Sequence, residues 1–146
     1  SLINAVLDAP LSTLPDLVTR LDALGEFMKH EAATSLVASN KRIGNILRKS
    51  RAEDLGTIKE DMLVIDEEKQ LFGDIRSISK DLEKLYEQAD YPQALSLLAG
   101  LSDVIEAFFD KVMVMDDDLE IRNNRLNLLL NLKSLFDRVA NLSLVG

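Results

Sequence analysis

Residues 103–130 read DVIEAFFDKVMVMDDDLEIRNNRLNLLL, and this stretch decides the fold class. As far as Val112, apolar side chains recur at steps of three and four residues, which predicts an amphipathic helix. The aspartates at 116–118 then supply an N-cap and a negative charge at the positive end of a second helix. A leucine-rich face follows from Leu119 onward. The stretch therefore predicts two helices separated by a short acidic break.

The same helical spacing extends over most of the chain. Residues 13–16 (TLPD) combine a hydroxyl cap, a proline in the first turn and an acid, which predicts a helix start. A narrow apolar seam over 67–89 predicts a helix that packs lengthwise on a neighbour. Asp90 caps the next predicted helix, which runs on to Val112. Gly100 lies inside that helix and predicts a bend or a close helix contact there.

These patterns predict an all-α fold, a helical bundle of about five or six helices that forms a single domain over residues 1–146. Residues 53–65 are mixed in character and predict a loop or a short helix. The chain has 146 residues, 47% hydrophobic and 29% charged, which is typical of a globular domain. Ser1 is not an initiator methionine, so we expect a fragment of a longer chain.

The residue inventory leaves little room for several kinds of chemistry. The sequence has no cysteine, which excludes disulfides and thiolate metal sites. His30 is the only histidine, so catalysis by a paired histidine depends on one residue. We expect His30 at the surface or at a helix cap, and we expect the aspartates at 116–118 to cap a helix rather than bind calcium. No apolar run approaches the ~18 residues that a membrane helix needs.

Charge is distributed unevenly along the chain. The net charge of −8 argues against binding to a polyanion. Residues 32–52, however, contain no acid, and repulsion from distant charges is screened beyond about 10 Å in ordinary salt. Two interpretations stay open, a local cationic patch for nucleic acid or an ordinary solvated helix face. The basic residues of this segment are Lys41, Arg42, Arg48, Lys49 and Arg51.

Residues 40–48, NKRIGNILR, add chemistry suited to RNA. Lysine and arginine supply cations for phosphates, and Asn40 and Asn45 offer donors and acceptors to base edges. Gly44 permits close backbone approach. The alternative is a core helix with a polar outer face, and on that helix Asn40 falls on the apolar stripe.

Two pairs of residues in the opening stretch also allow two interpretations. Arg122 and Arg125 could contact RNA or form structural ion pairs with Asp118 or Asp110. For Arg125 we favour the structural role, because the helical partners four and seven positions on are Leu129 and Leu132. The aromatic pair at 108–109 could stack on unpaired bases, but the pair continues an apolar stripe and we expect core burial. The methionines at 113 and 115 are expected in the core.

Residues 103–130 and 40–49 together closely resemble the C-terminal part of the β subunit of bacterial two-subunit glycyl-tRNA synthetases. The resemblance continues from 91 to 144 and is weak across 53–70. Family members more often carry an acid where Asn141 stands. The resemblance implies an all-helical anticodon-binding domain, which is related to the anticodon-binding domain of arginyl-tRNA synthetase.

The resemblance implies that this domain itself is not catalytic and holds no metal. The parent complex would be a class II glycine–tRNA ligase that uses ATP and magnesium in the bacterial cytoplasm. Its partners would be tRNA(Gly) and the synthetase α subunit, without a membrane. The residues expected to contact tRNA are Asn40, Lys41, Arg42, Asn45, Arg48, Lys49 and Arg122.

A rival hypothesis is a helical protein–protein docking module without RNA binding, which the acidic net charge and the seam over 67–89 favour. A catalytic helical domain is a third hypothesis, and it requires a clustered carboxylate or metal site.

Overall fold

The computed structural model describes residues 2–7, 14–50 and 57–140, and these residues form helices and connectors without a strand. The prediction of an all-α bundle is therefore confirmed. The described part of the chain has seven α-helices, the first of only six residues, together with one short 3₁₀ helix. They are α1 (Leu2–Leu7), α2 (Leu14–Phe27), α3 (Glu31–Lys49), the 3₁₀ helix η1 (Glu60–Met62), α4 (Asp66–Glu87), α5 (Tyr91–Ala99), α6 (Ser102–Lys111) and α7 (Leu119–Asp137).

Helix α7 contains a continuously buried segment. It contacts α3, α4 and η1, and every residue from 124 to 129 is buried. A helical segment that is buried on all sides shows no single apolar stripe, which explains why polar residues appear among the leucines of this segment. Those polar side chains therefore need partners within the protein.

The other described helices pack mainly against one another. Helix α2 lies against α5, and α4 contacts both α5 and α6 through the predicted seam, of which Leu71, Ile75 and Leu82 are buried. Helix α3 contacts α5, α6 and α7. Its buried stripe includes Leu36 and Ile43, so one face joins the core and the opposite face is left to solvent.

The predicted single helix from Asp90 to Val112 is wrong, because the chain breaks it into α5 and α6. Gly100 and Leu101 each donate a backbone hydrogen bond three residues back, at 3.2 and 3.0 Å, in a tightened turn. The break lets side chains on both sides face the same core, since Leu98 and Ile105 are each 0% exposed. The glycine thus ends a helix where the sequence predicted a bend within one.

The seam helix ends two residues earlier than predicted. Helix α4 stops at Glu87, and Ala89 adopts a left-handed φ of 52°. The amide of Asp90 then bonds the Leu85 carbonyl at 2.8 Å and the amide of Ala89 bonds the Tyr86 carbonyl at 3.1 Å. This pattern satisfies the last carbonyls of the helix.

Both predicted aspartate caps are confirmed. Asp90 Oδ1 accepts a hydrogen bond from the Gln93 amide at 3.3 Å, and Asp118 Oδ1 accepts from the amides of Glu120 and Ile121 at 3.0 and 3.3 Å. The residues predicted to form a loop or short helix include η1, while positions 53–56 lie outside the described residues. No helix that the structure describes is both long and apolar enough to cross a bilayer.

The connector between α6 and α7 corrects another prediction. Met113 and Met115, expected in the core, are 70% and 47% exposed, because the extended connector alternates and buries Val112 and Val114 instead. Leu119, placed on the apolar face of the last helix, is also exposed. It is the first residue of α7 and precedes the segment that is enclosed by neighbours.

Candidate nucleic-acid interface

The C-terminal half of α3 carries four exposed cations, Lys41, Arg42, Arg48 and Lys49, which we call the cationic edge. Within the described ranges, none of these four side chains forms an ion pair with a carboxylate. Exposed cations that are not neutralised by acids create a local positive potential despite the net negative charge. Arg51, the fifth basic residue of the segment, lies outside the described residues.

Charges and a hydrogen bond stabilise the two ends of α3. Glu31 lies in the first turn and Arg48 and Lys49 lie in the last, so both ends complement the helix dipole. His30 is exposed and occupies the N-cap position without a side-chain cap hydrogen bond. Ser50 Oγ donates to the Ile46 carbonyl at 2.8 Å, which satisfies a terminal acceptor.

The two asparagines of the 40–48 segment lie in different surroundings. Asn45 is exposed, and Arg48 donates a hydrogen bond to its Oδ1. Asn40 is 2% exposed, and its Nδ2 donates to the Leu36 carbonyl at 2.9 Å within the same helix. Asn40 is therefore on the core side of α3, as is Gly44. Of the two amides, only that of Asn45 faces a position that an external partner can reach.

Arg42 differs from the other three cations because it lies over an aromatic ring. Its guanidinium carbon is 4.3 Å from the centre of the Phe109 ring on α6. Phe109 is half-buried, and it meets the fully buried Phe108 edge to face with ring centres 5.5 Å apart. The prediction of core burial is thus right for Phe108, whereas Phe109 remains partly accessible.

Arg125 has the structural role that the sequence favoured. It is 2% exposed, and its Nη2 lies 2.8 Å from Glu68 Oε1, whose side chain is 0% exposed. Its Nη1 donates to the Met113 carbonyl at 2.5 Å and lies 3.4 Å from Asp116 Oδ2. We call Arg125, Glu68 and Asp116 the buried ion cluster. The partners suggested from sequence, Asp118 and Asp110, were wrong for Arg125.

Asn124, which the sequence did not single out, holds the segment before η1 against α7. Its Nδ2 donates to the Lys59 carbonyl at 3.0 Å, and its Oδ1 accepts from the Lys59 amide at 2.7 Å. Glu68 was also missed, although it falls three positions before Leu71 and so extends the apolar seam with an acid. An acid in the register of a buried stripe is a signal for a buried ion pair.

Arg122 is the one expected RNA contact that is not on α3. It lies on the first turn of α7, partly exposed, and its backbone amide donates to the Asp118 carbonyl at 2.9 Å. Helix α7, which carries Arg122, packs against α3, which carries the cationic edge. This helix contact is the observation that relates Arg122 to the edge. The other exposed candidates, Lys41, Arg42, Asn45, Arg48 and Lys49, come together on one helix face and end.

A helical bundle that displays unneutralised cations at one helix end belongs to the class of domains that can bind an anionic partner. Comparison with known families is more specific, because residues 36–144 match the DALR anticodon binding domain. The chain belongs to this family. The matched segment contains the cationic edge, the buried ion cluster and Asn124.

Individual relatives resemble nearly the whole chain. The glycine–tRNA ligase β subunit of Vibrio campbellii is 42% identical over 144 residues, which is 99% of this chain and 21% of that protein. The glycine–tRNA ligase β subunit of Acinetobacter baumannii is 44% identical over 137 residues, 94% of this chain and 20% of that protein. The chain therefore spans about one fifth of the length of these curated relatives, and it matches their C-terminal part.

Proposed function

We propose that this domain binds the anticodon region of tRNA(Gly) as part of a glycyl-tRNA synthetase β subunit. In this role it positions the tRNA for ATP-dependent glycylation at a distant active site. The observation that carries the proposal is the cationic edge, which is exposed, free of described carboxylate pairs and inside the family match. Similarity to glycine–tRNA ligase β subunits supports the choice of glycine tRNA.

The proposed mechanism separates positioning from reading. Lys41, Arg48 and Lys49 neutralise phosphates of the anticodon loop, and Arg42 adds its charge beside α6. Asn45, oriented by Arg48, is placed to bond an unpaired base. Arg122 would add a contact from the first turn of α7. Asn40 is left out because its amide is buried and bonded within α3.

The parent enzyme would supply the bond chemistry elsewhere. ATP, magnesium and the synthetase α subunit are proposed for the full complex, acting in the cytoplasm. Among the residues that the structure describes, no three acidic or histidine side chains are grouped so that they could hold a metal ion.

A second candidate function is docking to another protein surface. The observation in its favour is the exposure of apolar side chains around the α6–α7 connector, with Met113 at 70%, Leu119 at 57% and Met115 at 47%. Exposed apolar side chains of this kind are common at contact surfaces. Docking through the connector does not require the cationic edge, so the two functions can be tested separately.

Titration with RNA at several salt concentrations tests the proposal. The chain is mixed with tRNA(Gly) and with a tRNA of unrelated anticodon, and the affinity is measured as salt rises. For single-stranded contacts, log affinity should fall with log salt by about 0.7 per phosphate neutralised. We expect tighter binding of tRNA(Gly) and a slope that corresponds to two to four contacts, by that estimate about 1.4 to 2.8.

Paired lysine variants identify the surface. The double variant Lys41→Ala/Lys49→Ala should flatten the slope by about 1.4, since two phosphate contacts are lost. The matched control Lys80→Ala/Lys84→Ala removes two exposed lysines from α4 and should leave the slope unchanged. Equal effects of the two pairs would show only a general charge effect, and failure to bind either tRNA at low salt would favour the docking function.

A further inference from the structure

A groove of about 540 Å³ runs between α3 and α6, next to the cationic edge. Arg42 and Phe109 are among its lining residues, and Ser35 and Ser39 contribute hydroxyls from α3. Ser35 Oγ donates a hydrogen bond to Glu106 Oε1 across the groove, which ties the two helices together. The groove therefore lies at the contact between α3 and α6.

The charge of the groove differs from that of the cationic edge. Its lining contains the carboxylates of Glu31, Glu106 and Asp110 but only one cation, Arg42. Such a site repels phosphate and attracts neutral groups that donate hydrogen bonds. A phosphate is expected at Lys41, Arg48 and Lys49, whereas the groove beside them suits a different part of the same RNA.

The Arg42–Phe109 pair adds a surface for stacking. A guanidinium is planar, stacks on aromatic faces, and can itself carry an unpaired base. The ring of Phe109 lies 4.3 Å beneath the exposed guanidinium and supports it from the core side. An Arg at this position can therefore do what a Lys of equal charge cannot, because an ammonium offers no plane.

We propose that this groove holds one unpaired nucleobase that carries an amino group, stacked on Arg42 with its amino edge toward Glu106 and Asp110. Cytosine, adenine and guanine have such an amino group, and carboxylates accept from it. Uracil has carbonyl oxygens on both sides of its single ring donor, and the carboxylates repel them. This inference depends on the proposed RNA-binding function and assigns a specificity element to it.

Two hairpin RNAs with the same stem test the inference. One has an all-cytosine loop and the other an all-uracil loop of the same length, so that phosphate contacts are equal. We expect the cytosine loop to bind about fivefold more tightly or better, with the same salt slope for both. Equal affinity of the two loops, with a normal salt slope, would overturn the groove proposal and leave the proposed function standing.

Substitutions on α3 and α6 test the stacking pair. Arg42→Lys keeps the charge and should reduce the cytosine-to-uracil affinity ratio toward one without changing the salt slope. Phe109→Leu should have the same effect, and Phe109→Tyr should retain the ratio because it keeps the ring. The control is Phe72→Leu, since Arg76 also lies over the Phe72 ring, at 5.4 Å, but on α4 outside the groove. Thermal unfolding of each variant verifies that it is folded.

Variants that replace a carboxylate by an uncharged amide of the same shape test the amino-group contact. Glu106→Gln should lower the cytosine-to-uracil ratio, while Asp103→Asn removes the same charge from an exposed position of α6 and should not. If both variants change the ratio equally, the carboxylate contact is refuted. If neither hairpin binds at low salt, the proposed function itself fails and the groove proposal fails with it.

Discussion

Arg125 and Arg42 show two opposite uses of the same side chain. Arg125 lies on α7, 2% exposed, and is held by Glu68, Asp116 and the Met113 carbonyl. Arg42 lies on α3, exposed, over the ring of Phe109 and without a described carboxylate partner. Burial makes pairing obligatory, because an isolated charge in the interior loses its hydration. Exposure leaves the guanidinium of Arg42 available to an external partner.

The difference extends to the surroundings of each arginine. Around α7, Asn124 bonds the Lys59 backbone and the Tyr86 hydroxyl donates to the Leu135 carbonyl at 2.6 Å. These contacts join α7 to η1 and α4 and should contribute to stability. Along the cationic edge, the described polar contacts are local, as between Arg48 and Asn45. Stability and RNA binding should therefore respond to different sets of substitutions.

Removing Arg125 should have the largest effect. Arg125→Ala leaves Glu68 buried without its cation and should lower the free energy of unfolding by about 3–5 kcal/mol, measured by urea unfolding. The double variant Glu68→Leu/Arg125→Met should recover much of this loss, because neither fully buried charge remains and Asp116, which keeps its charge, is partly exposed to water. Lys29→Ala, which breaks an exposed pair with Glu26, should cost below about 1 kcal/mol. A small loss of stability for Arg125→Ala would contradict the claim that burial makes the pairing of this arginine obligatory.

Loss of Asn124 should come next. Asn124→Ala removes two hydrogen bonds to the Lys59 backbone and should cost about 1–3 kcal/mol, because the partly buried amide and carbonyl of Lys59 lose their partner. Hydrogen exchange should speed up at the Lys59 amide. As a control, Asn131→Ala removes an exposed side chain from the same helix and should change stability by less than about 0.5 kcal/mol. Equal losses for both asparagines would contradict the assigned role.

High pH should destabilise the folded protein by ionising its buried tyrosines. Burial raises the pKa of Tyr86 above its usual value of 10.0, and Arg138 only partly opposes this. Burial and a hydrogen bond to Asp16 raise the pKa of Tyr91 as well. A tyrosine whose pKa is raised in the folded state stabilises that state fully below pH 10 and less as pH rises.

The expected slope above pH 10 is a loss of about 1.4 kcal/mol per pH unit for Tyr86. Tyr86→Phe should reduce this slope, measured by unfolding at pH 9, 10 and 11, although the variant starts lower because it lacks the bond to Leu135. A slope that does not differ between the wild-type chain and the variant would show that Tyr86 ionises freely in the folded state.

The cationic edge should have the smallest effect on stability. Lys41→Ala/Lys49→Ala should change the free energy of unfolding by less than about 0.5 kcal/mol, since neither side chain has a described partner. The same variant is expected to flatten the salt dependence of RNA binding. A large stability loss with unchanged RNA binding would show that Lys41 and Lys49 have a structural role. The proposed RNA interface would then lose its basis.

The helical periodicity determined much of the bundle without tertiary information. The seam of α4, the aspartate caps of α5 and α7 and the apolar stripe of α3 were predicted because they depend on residues within about one turn of each other. The same local pattern put Lys41, Asn45 and Arg48 on the polar face, where the structure exposes them. The family resemblance supplied what periodicity could not, namely the anticodon-binding family, which the match over 36–144 confirms.

Tertiary packing decided the remainder. Whether Asn40 faced RNA or the core, and which acid paired with Arg125, depended on helices distant in sequence, since Glu68 lies 57 positions from its partner. The split at Gly100 and the exposure of Met113 likewise follow from how α6 and α7 meet the core. Local spacing fixes which residues share a helix face, but only the packing of helices determines which of those faces is dry and which meets solvent.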